Sequence, residues 1–114
     1  MIKGGRQLGC GLLKIGRPWG HKTRQTIIPE KKAIDFLETA VAKGVRVFYT
    51  APSYGLSEER LGKYLHELSA TERAQLFIAT KCGGHYDFQQ DKPVRDFSPA
   101  GIARNIERSL AVLG

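Results

Sequence analysis

The sequence predicts an α/β fold of three consecutive βα units with parallel strands, and three observations carry that expectation. Runs of β-branched, aromatic and aliphatic residues alternate three times with stretches of helical periodicity along the 114 residues. That order favours parallel strands joined by crossover connections. Each helical stretch opens on a residue suited to the place, at Pro29, Ser57 and Ser98-Pro99. The third run, Leu76-Phe77-Ile78-Ala79-Thr80, is apolar throughout, as in a strand covered on both faces. These signals leave open whether the strands form an open sheet or part of a barrel.

Taken in order, residues 6–15 alternate Leu8, Cys10 and Leu12 against Gln7, Gly9 and Gly11, the period of a strand. Gly16-Arg17-Pro18-Trp19-Gly20 ends it as a loop, and residues 21–28 read as polar and mobile. Pro29 suits the first position of a helix whose apolar stripe is Ala33, Ile34, Leu37, Ala40 and Val41. Gly44 closes it, and a strand over 45–49 follows. Ser57 is expected to cap the second helix, with Glu58 and Glu59 complementing its dipole and Leu61, Tyr64, Leu65 and Leu68 as its stripe. A polar linker precedes the third strand, and a long loop runs from Lys81 to Asp96. The last helix is expected to bury Ile102, Ile106, Ser109/Leu110 and Leu113, with Gly114 at its end.

One domain over 1–114 is expected from the length. Hydrophobic content of 41% and charged content of 25% are ordinary for a soluble globular protein. No run approaches the ~18 apolar residues of a membrane span, and the basic N-terminus leads into no apolar core of a secretory signal. The net charge is +7, but the basic residues are scattered without aromatic interleaving, which argues against nucleic-acid binding. Cys10 and Cys82 lie far apart and read as thiols of a reducing cytoplasm. His21, His66 and His85 have no metal-ligand spacing, so no metal site is expected. Cys82, beside Lys81, has no accompanying base or acyl-transfer motif.

Chemistry is expected around residues 44–55, Gly-Val-Arg-Val-Phe-Tyr-Thr-Ala-Pro-Ser-Tyr-Gly. Pro52 breaks the strand and sets Tyr54 at its C-terminal end, where parallel α/β folds place ligands. Lys81 ends the third strand, and by alternation it shares a face with Tyr49. A free tyrosine titrates near ~10, and an ammonium beside it favours the phenolate and eases proton donation. Gly9-Cys10-Gly11 opens like a dinucleotide fingerprint, but Lys14 stands where the third glycine belongs.

Phe48-Tyr49-Thr50-Ala51-Pro52-Ser53-Tyr54-Gly55, followed by Ser57-Glu58-Glu59-Arg60-Leu61-Gly62, resembles the Phe-Asp-Thr-Ala-x-x-Tyr-Gly motif and helix start of the aldo-keto reductases. The resemblance implies part of a (β/α)8 barrel, covering the first three of its eight units. It implies NAD(P)H-dependent reduction of a small carbonyl substrate, with Tyr54 as general acid and Lys81 as its cationic partner. Tyr49 stands where the family places a catalytic Asp. Gly11 and Leu12 would lie under the nicotinamide. Trp19 resembles an aromatic that walls the substrate pocket, and a loop-covering core aromatic fits it equally.

The family's His and its main cofactor-phosphate loops fall beyond residue 114. The chain alone is therefore expected to be truncated and inactive, and to bind NADPH or NADH weakly or not at all. The alternative is a non-catalytic structural or interaction fragment of the same ancestry. Three strands cannot close a barrel, so Leu8, Cys10, Val45, Val47, Tyr49, Phe77 and Ala79 are expected on an uncovered inward face. Self-association, or pairing with the remaining barrel strands, is the expected consequence.

Overall fold

In the computed structural model, which describes residues 7–19 and 26–114, β1 (Gly9–Gly11), β2 (Val47–Tyr49) and β3 (Phe77–Ala79) form a parallel sheet in that order. Val47 pairs with Gly9 on one side and Phe77 on the other, and Tyr49 pairs with Gly11 and Ala79. Partners in register point the same way, so the sheet has two distinct faces. One carries Cys10, Phe48 and Ile78, and the other carries Gly9, Gly11, Val47, Tyr49, Phe77 and Ala79.

Helices cover the first face. Phe48 is fully buried there with Leu12, Ala33 and Leu37, and the cluster extends to Leu61, Tyr64, Leu65 and Leu113 among others. Burying a side chain of this size stabilises by roughly 1.5–3 kcal/mol. The covering helices are α2 (Glu30–Ala42), α3 (Ser57–Glu67) and α5 (Pro99–Leu113). Gly62 of α3 lies against the Val112 carbonyl of α5, where a side chain would block the approach. Arg60 ties the layer together from inside: its guanidinium donates to the carbonyls of Ile15 and Ile28, both at 2.7 Å.

Several expectations need correction. The first strand stops at Gly11, and residues 13–16 turn into a short helix, α1 (Leu13–Gly16), which buries Ile15. Cys10 belongs to the helix-covered face with Phe48, not to the inward face. Pro29 is the cap residue of α2 rather than its first helical residue, and Leu56 rather than Ser57 occupies the cap position of α3. Ser57 lies within α3, and its hydroxyl is 2.8 Å from that of Thr50, both buried. The linker before β3 holds α4 (Ala70–Ala74), nucleated by a capping box in which Ser69 and Glu72 satisfy each other's backbone N–H. β3 is covered on one face alone, with Phe77 64% exposed.

The expected loop after Lys81 contains an antiparallel hairpin, β4 (Gly84–Asp87) and β5 (Lys92–Arg95). Its turn is held by the Asp87 carboxylate, which accepts from the N–H groups of Gln89 and Gln90 at 2.9 and 3.0 Å. Ser98 and Pro99 start α5 as expected, the Ser98 hydroxyl accepting from Gly101 N–H at 3.0 Å. The buried row of α5 is Gly101, Asn105, Ser109 and Leu113. Ile106 and Leu110, expected inside, are 47% and 67% exposed. With Ile78 they line an open groove beyond β3, which no described strand fills. Residues 20–25, including His21, lie outside the described chain. No helix of the described residues is long and apolar enough to cross a membrane.

Candidate active site

The site sits at the C-terminal end of the sheet, where three connections converge. Thr50 N–H donates to the Ala79 carbonyl at 2.8 Å, and Leu12 N–H donates to the Tyr49 carbonyl at 2.9 Å. These bonds carry the pairing one step past each strand end. From there Ala51-Pro52-Ser53 turns back, with Tyr54 N–H on the Ala51 carbonyl at 3.0 Å. Gly16 and Gly55 let two backbones meet at this point. Leu56 N–H bonds the Gly16 carbonyl at 2.9 Å, and a Cβ on Gly16 would sit 2.5 Å from Ser57 N. Gly55 has φ +60°, a conformation that favours glycine. The turn that aims Tyr54 is thus fixed by backbone against backbone.

The structure brings Tyr54 and Lys81 together. The Lys81 ammonium donates to the Tyr54 hydroxyl at 2.8 Å and lies 5.0 Å from the centre of its ring. Lys81 follows β3 directly, and Tyr54 follows β2, so adjacent strands supply the pair. Tyr49 shares the inward face but lies across Gly9, where its ring fills the space a side chain would need. It remains 48% exposed.

The other residues singled out in the sequence sit around this pair. Gly11 ends β1 with nothing within 4 Å of where its Cβ would be, so the sheet presents a bare patch of backbone there. Leu12 is fully buried in the core, which leaves only its backbone to face a ligand. Trp19 is 56% exposed on the first connection. Among the described residues, no group of three His, Cys, Asp or Glu side chains could hold a metal ion.

Supporting residues escaped the sequence reading. Glu58 is buried, and its carboxylate accepts from the Thr80 hydroxyl at 2.9 Å, bracing the residue before Lys81. Asn105 is buried in α5, and its side-chain oxygen accepts from Gly83 and Gly84 N–H, both at 2.9 Å, bracing the residues after it. A polar residue within the buried stripe of a helix was the available signal for Asn105.

A three-stranded parallel sheet with helices on one face, and a Tyr–Lys pair above its carboxyl end, is the architecture of part of an α/β barrel. Sequence comparison makes this specific: the Aldo/keto reductase family profile matches residues 7–114, and the chain belongs to that family. It is 32% identical over 107 residues to the aldo-keto reductase YhdN of Bacillus subtilis, an alignment covering 91% of this chain and 29% of that protein. Its fold is similar to that of PA4992 from Pseudomonas aeruginosa, described as an aldo-keto reductase, with 39% identity and a TM-score of 0.70. That likeness covers 92% of this chain and 37% of the other. The holo form of aldo-keto reductase AKR11C1 from Bacillus halodurans gives 27% identity and a TM-score of 0.71, over 94% of this chain and 32% of the other. The chain thus spans about a third of the length of the relatives it matches, and it has the architecture of part of a (β/α)8 barrel.

Proposed function

We propose that this chain carries the proton-donating end of an NAD(P)H-dependent carbonyl reductase site. The 2.8 Å bond from Lys81 to the Tyr54 hydroxyl is the observation that supports it most. Tyr54 gives its proton to the carbonyl oxygen of the substrate. The Lys81 ammonium, already on the phenol oxygen, stabilises the negative charge left there. Tyr49 offers Lys81 no carboxylate, so Tyr54 is its hydrogen-bond acceptor. The bare backbone at Gly11 fits the flat nicotinamide end of the cofactor, which supplies hydride when bound. The family resemblance puts the residues that hold the cofactor's phosphates in other parts of the barrel, so residues 7–114 alone should bind it weakly and turn over little or nothing.

The test replaces the matching part of the Pseudomonas aeruginosa relative with residues 7–114 of this chain. The folded chimera should oxidise NADPH in the presence of an aldehyde, and Tyr54→Phe should abolish the reaction. A folded chimera with no activity above the Tyr54→Phe variant would refute the proposal and favour the second reading, a non-catalytic interaction module. That reading is favoured by Tyr49, a phenol where the family has an acid.

In either reading the inward face, with Val47, Tyr49 and Phe77, needs a cover. Self-association or the remaining barrel strands supply it, in a cytoplasmic setting. Size exclusion with light scattering checks this, a stable monomer at tens of micromolar being the contrary result.

A further inference from the structure

Beside the Tyr54–Lys81 pair a cleft of about 270 Å³ opens between the β1 connection, the Pro52-Ser53 turn and the hairpin. Arg17, Lys81 and Arg95 all line it, with Phe97 and backbone completing the wall, and among the described residues no Asp or Glu lines it. Among the described residues the ion pairs are Lys31–Asp35, Lys63–Glu30, Arg104–Asp96 and Arg108–Glu59, so none of the three cleft cations is paired with a carboxylate. Arg17 is set rather than free to swing, because its guanidinium stacks over the Tyr86 ring at 5.5 Å from the centre. Its Nε is buried without a hydrogen-bond partner. The Asp91 carboxylate, on the hairpin turn, is engaged by the Tyr86 hydroxyl.

Three cations sharing one concave wall repel one another, and a buried guanidinium N–H without a partner is costly. An anion in the cleft offsets the repulsion, and an arginine guanidinium suits carboxylate and phosphate geometry. Lys81 belongs to both the cleft and the proton-donating pair. A ligand group held in the cleft therefore lies one side chain from Tyr54. We infer that this cleft takes the anionic group of the substrate, so that the preferred substrates are carbonyl compounds bearing a carboxylate or phosphate. Arg17 and Arg95 select for the charge. The inference rests on the carbonyl-reductase reading for the word substrate, but the anion site itself does not.

The test is binding to the 114-residue chain, followed by NMR shift changes. The probes are 4-carboxybenzaldehyde, its uncharged methyl ester and inorganic phosphate. The carboxylate should bind at least ~10-fold more tightly than the ester at low salt, and the preference should shrink at high salt. Arg17→Gln and Arg95→Gln should each cut the carboxylate's affinity several-fold and leave the ester's unchanged. Arg17→Lys, which keeps the charge, should retain part of the preference. Arg95 is exposed, so its variant tests the site even if Arg17→Gln unfolds. Equal binding of acid and ester, or a preference indifferent to both variants, overturns the inference. So does phosphate binding without any preference for the charged aldehyde, which would leave a site for free anions only. An intact preference together with an inactive chimera would refute the reductase reading and leave the anion site standing.

Discussion

Replacing Gly16 with alanine puts a single methyl group where two backbones touch. The added Cβ would sit 2.5 Å from Ser57 N and closer still to the Tyr54 carbonyl oxygen, whereas ordinary contact begins at 3.4 Å. Both obstacles are backbone atoms of the turn that carries Tyr54, so no side chain can swing aside. The turn must move by about 0.9 Å or more. Taken along the Lys81–Tyr54 bond, that stretches 2.8 Å to about 3.7 Å, beyond hydrogen-bonding distance. The Leu56 N–H bond to the Gly16 carbonyl is strained by the same shift. Overpacking of this kind costs about 1–3 kcal/mol and a weakened hydrogen bond about 1 more. The expected loss is therefore about 2–4 kcal/mol, a large share of the ~5–15 kcal/mol that holds a domain folded. Gly11→Ala is the control, since its Cβ meets nothing within 4 Å. Urea unfolding followed by circular dichroism reads the stability, and the NMR shifts of the Tyr54 ring read the site. A Gly16→Ala protein with wild-type stability and an unmoved Tyr54 signal would refute the argument.

Further outcomes follow from single side chains. Tyr49→Asp, placed in the chimera, should raise the reductase rate by giving Lys81 a carboxylate partner; an unchanged or lower rate would show that residue 49 does not occupy the family's acid position. Cys82 is exposed, while burial pushes the Cys10 thiol up, so an aromatic disulfide at pH 8 should label Cys82 first. Cys82→Ser should remove the fast phase, and two equal phases in the wild type would contradict the burial of Cys10. Hydrogen bonds from Ser98 hold the Asp96 carboxyl below the ordinary carboxylate range. Its contribution is present above the unfolded pKa of ~4 and is lost as the pH falls through the lower folded value. Asp96→Asn should flatten the acid limb of the stability profile, and an unchanged limb would assign acid sensitivity elsewhere.

The parallel order was legible from local signals, apolar runs alternating with helical periodicity, whereas the pairing of Tyr54 with Lys81 was implied by the family resemblance. Alternation within the strands set Tyr49 beside Lys81, but the Tyr49 ring lies over Gly9 and Tyr54 takes the bond. Cys10 was misplaced because its face depends on the register between β1 and β2, and alternation within one strand does not fix that register. Ile106 and Leu110 were misread because hydrophobicity was taken as burial, whereas the polar row with Asn105 and Ser109 is the one that packs. The hairpin escaped because its strands are four residues each and β5 contains Pro93, a residue that usually argues against a strand. The cationic cleft could not be read from the sequence at all, since Arg17, Lys81 and Arg95 come from separate connections.

The attachment of the β4–β5 hairpin separates what can vary from what cannot. Asn105 grips its base at Gly83 and Gly84, and Asp96 N–H returns to the Gly83 carbonyl at 3.0 Å. The grip comes from a helix behind the sheet, not from the hairpin itself. Changes at the tip, around 88–91, therefore stop at the base before they reach Lys81. The hairpin tip can therefore change in length and charge while the Lys81–Tyr54 hydrogen bond stays aligned. A different hairpin grafted onto the same clamp should then leave the Tyr54–Lys81 geometry in place.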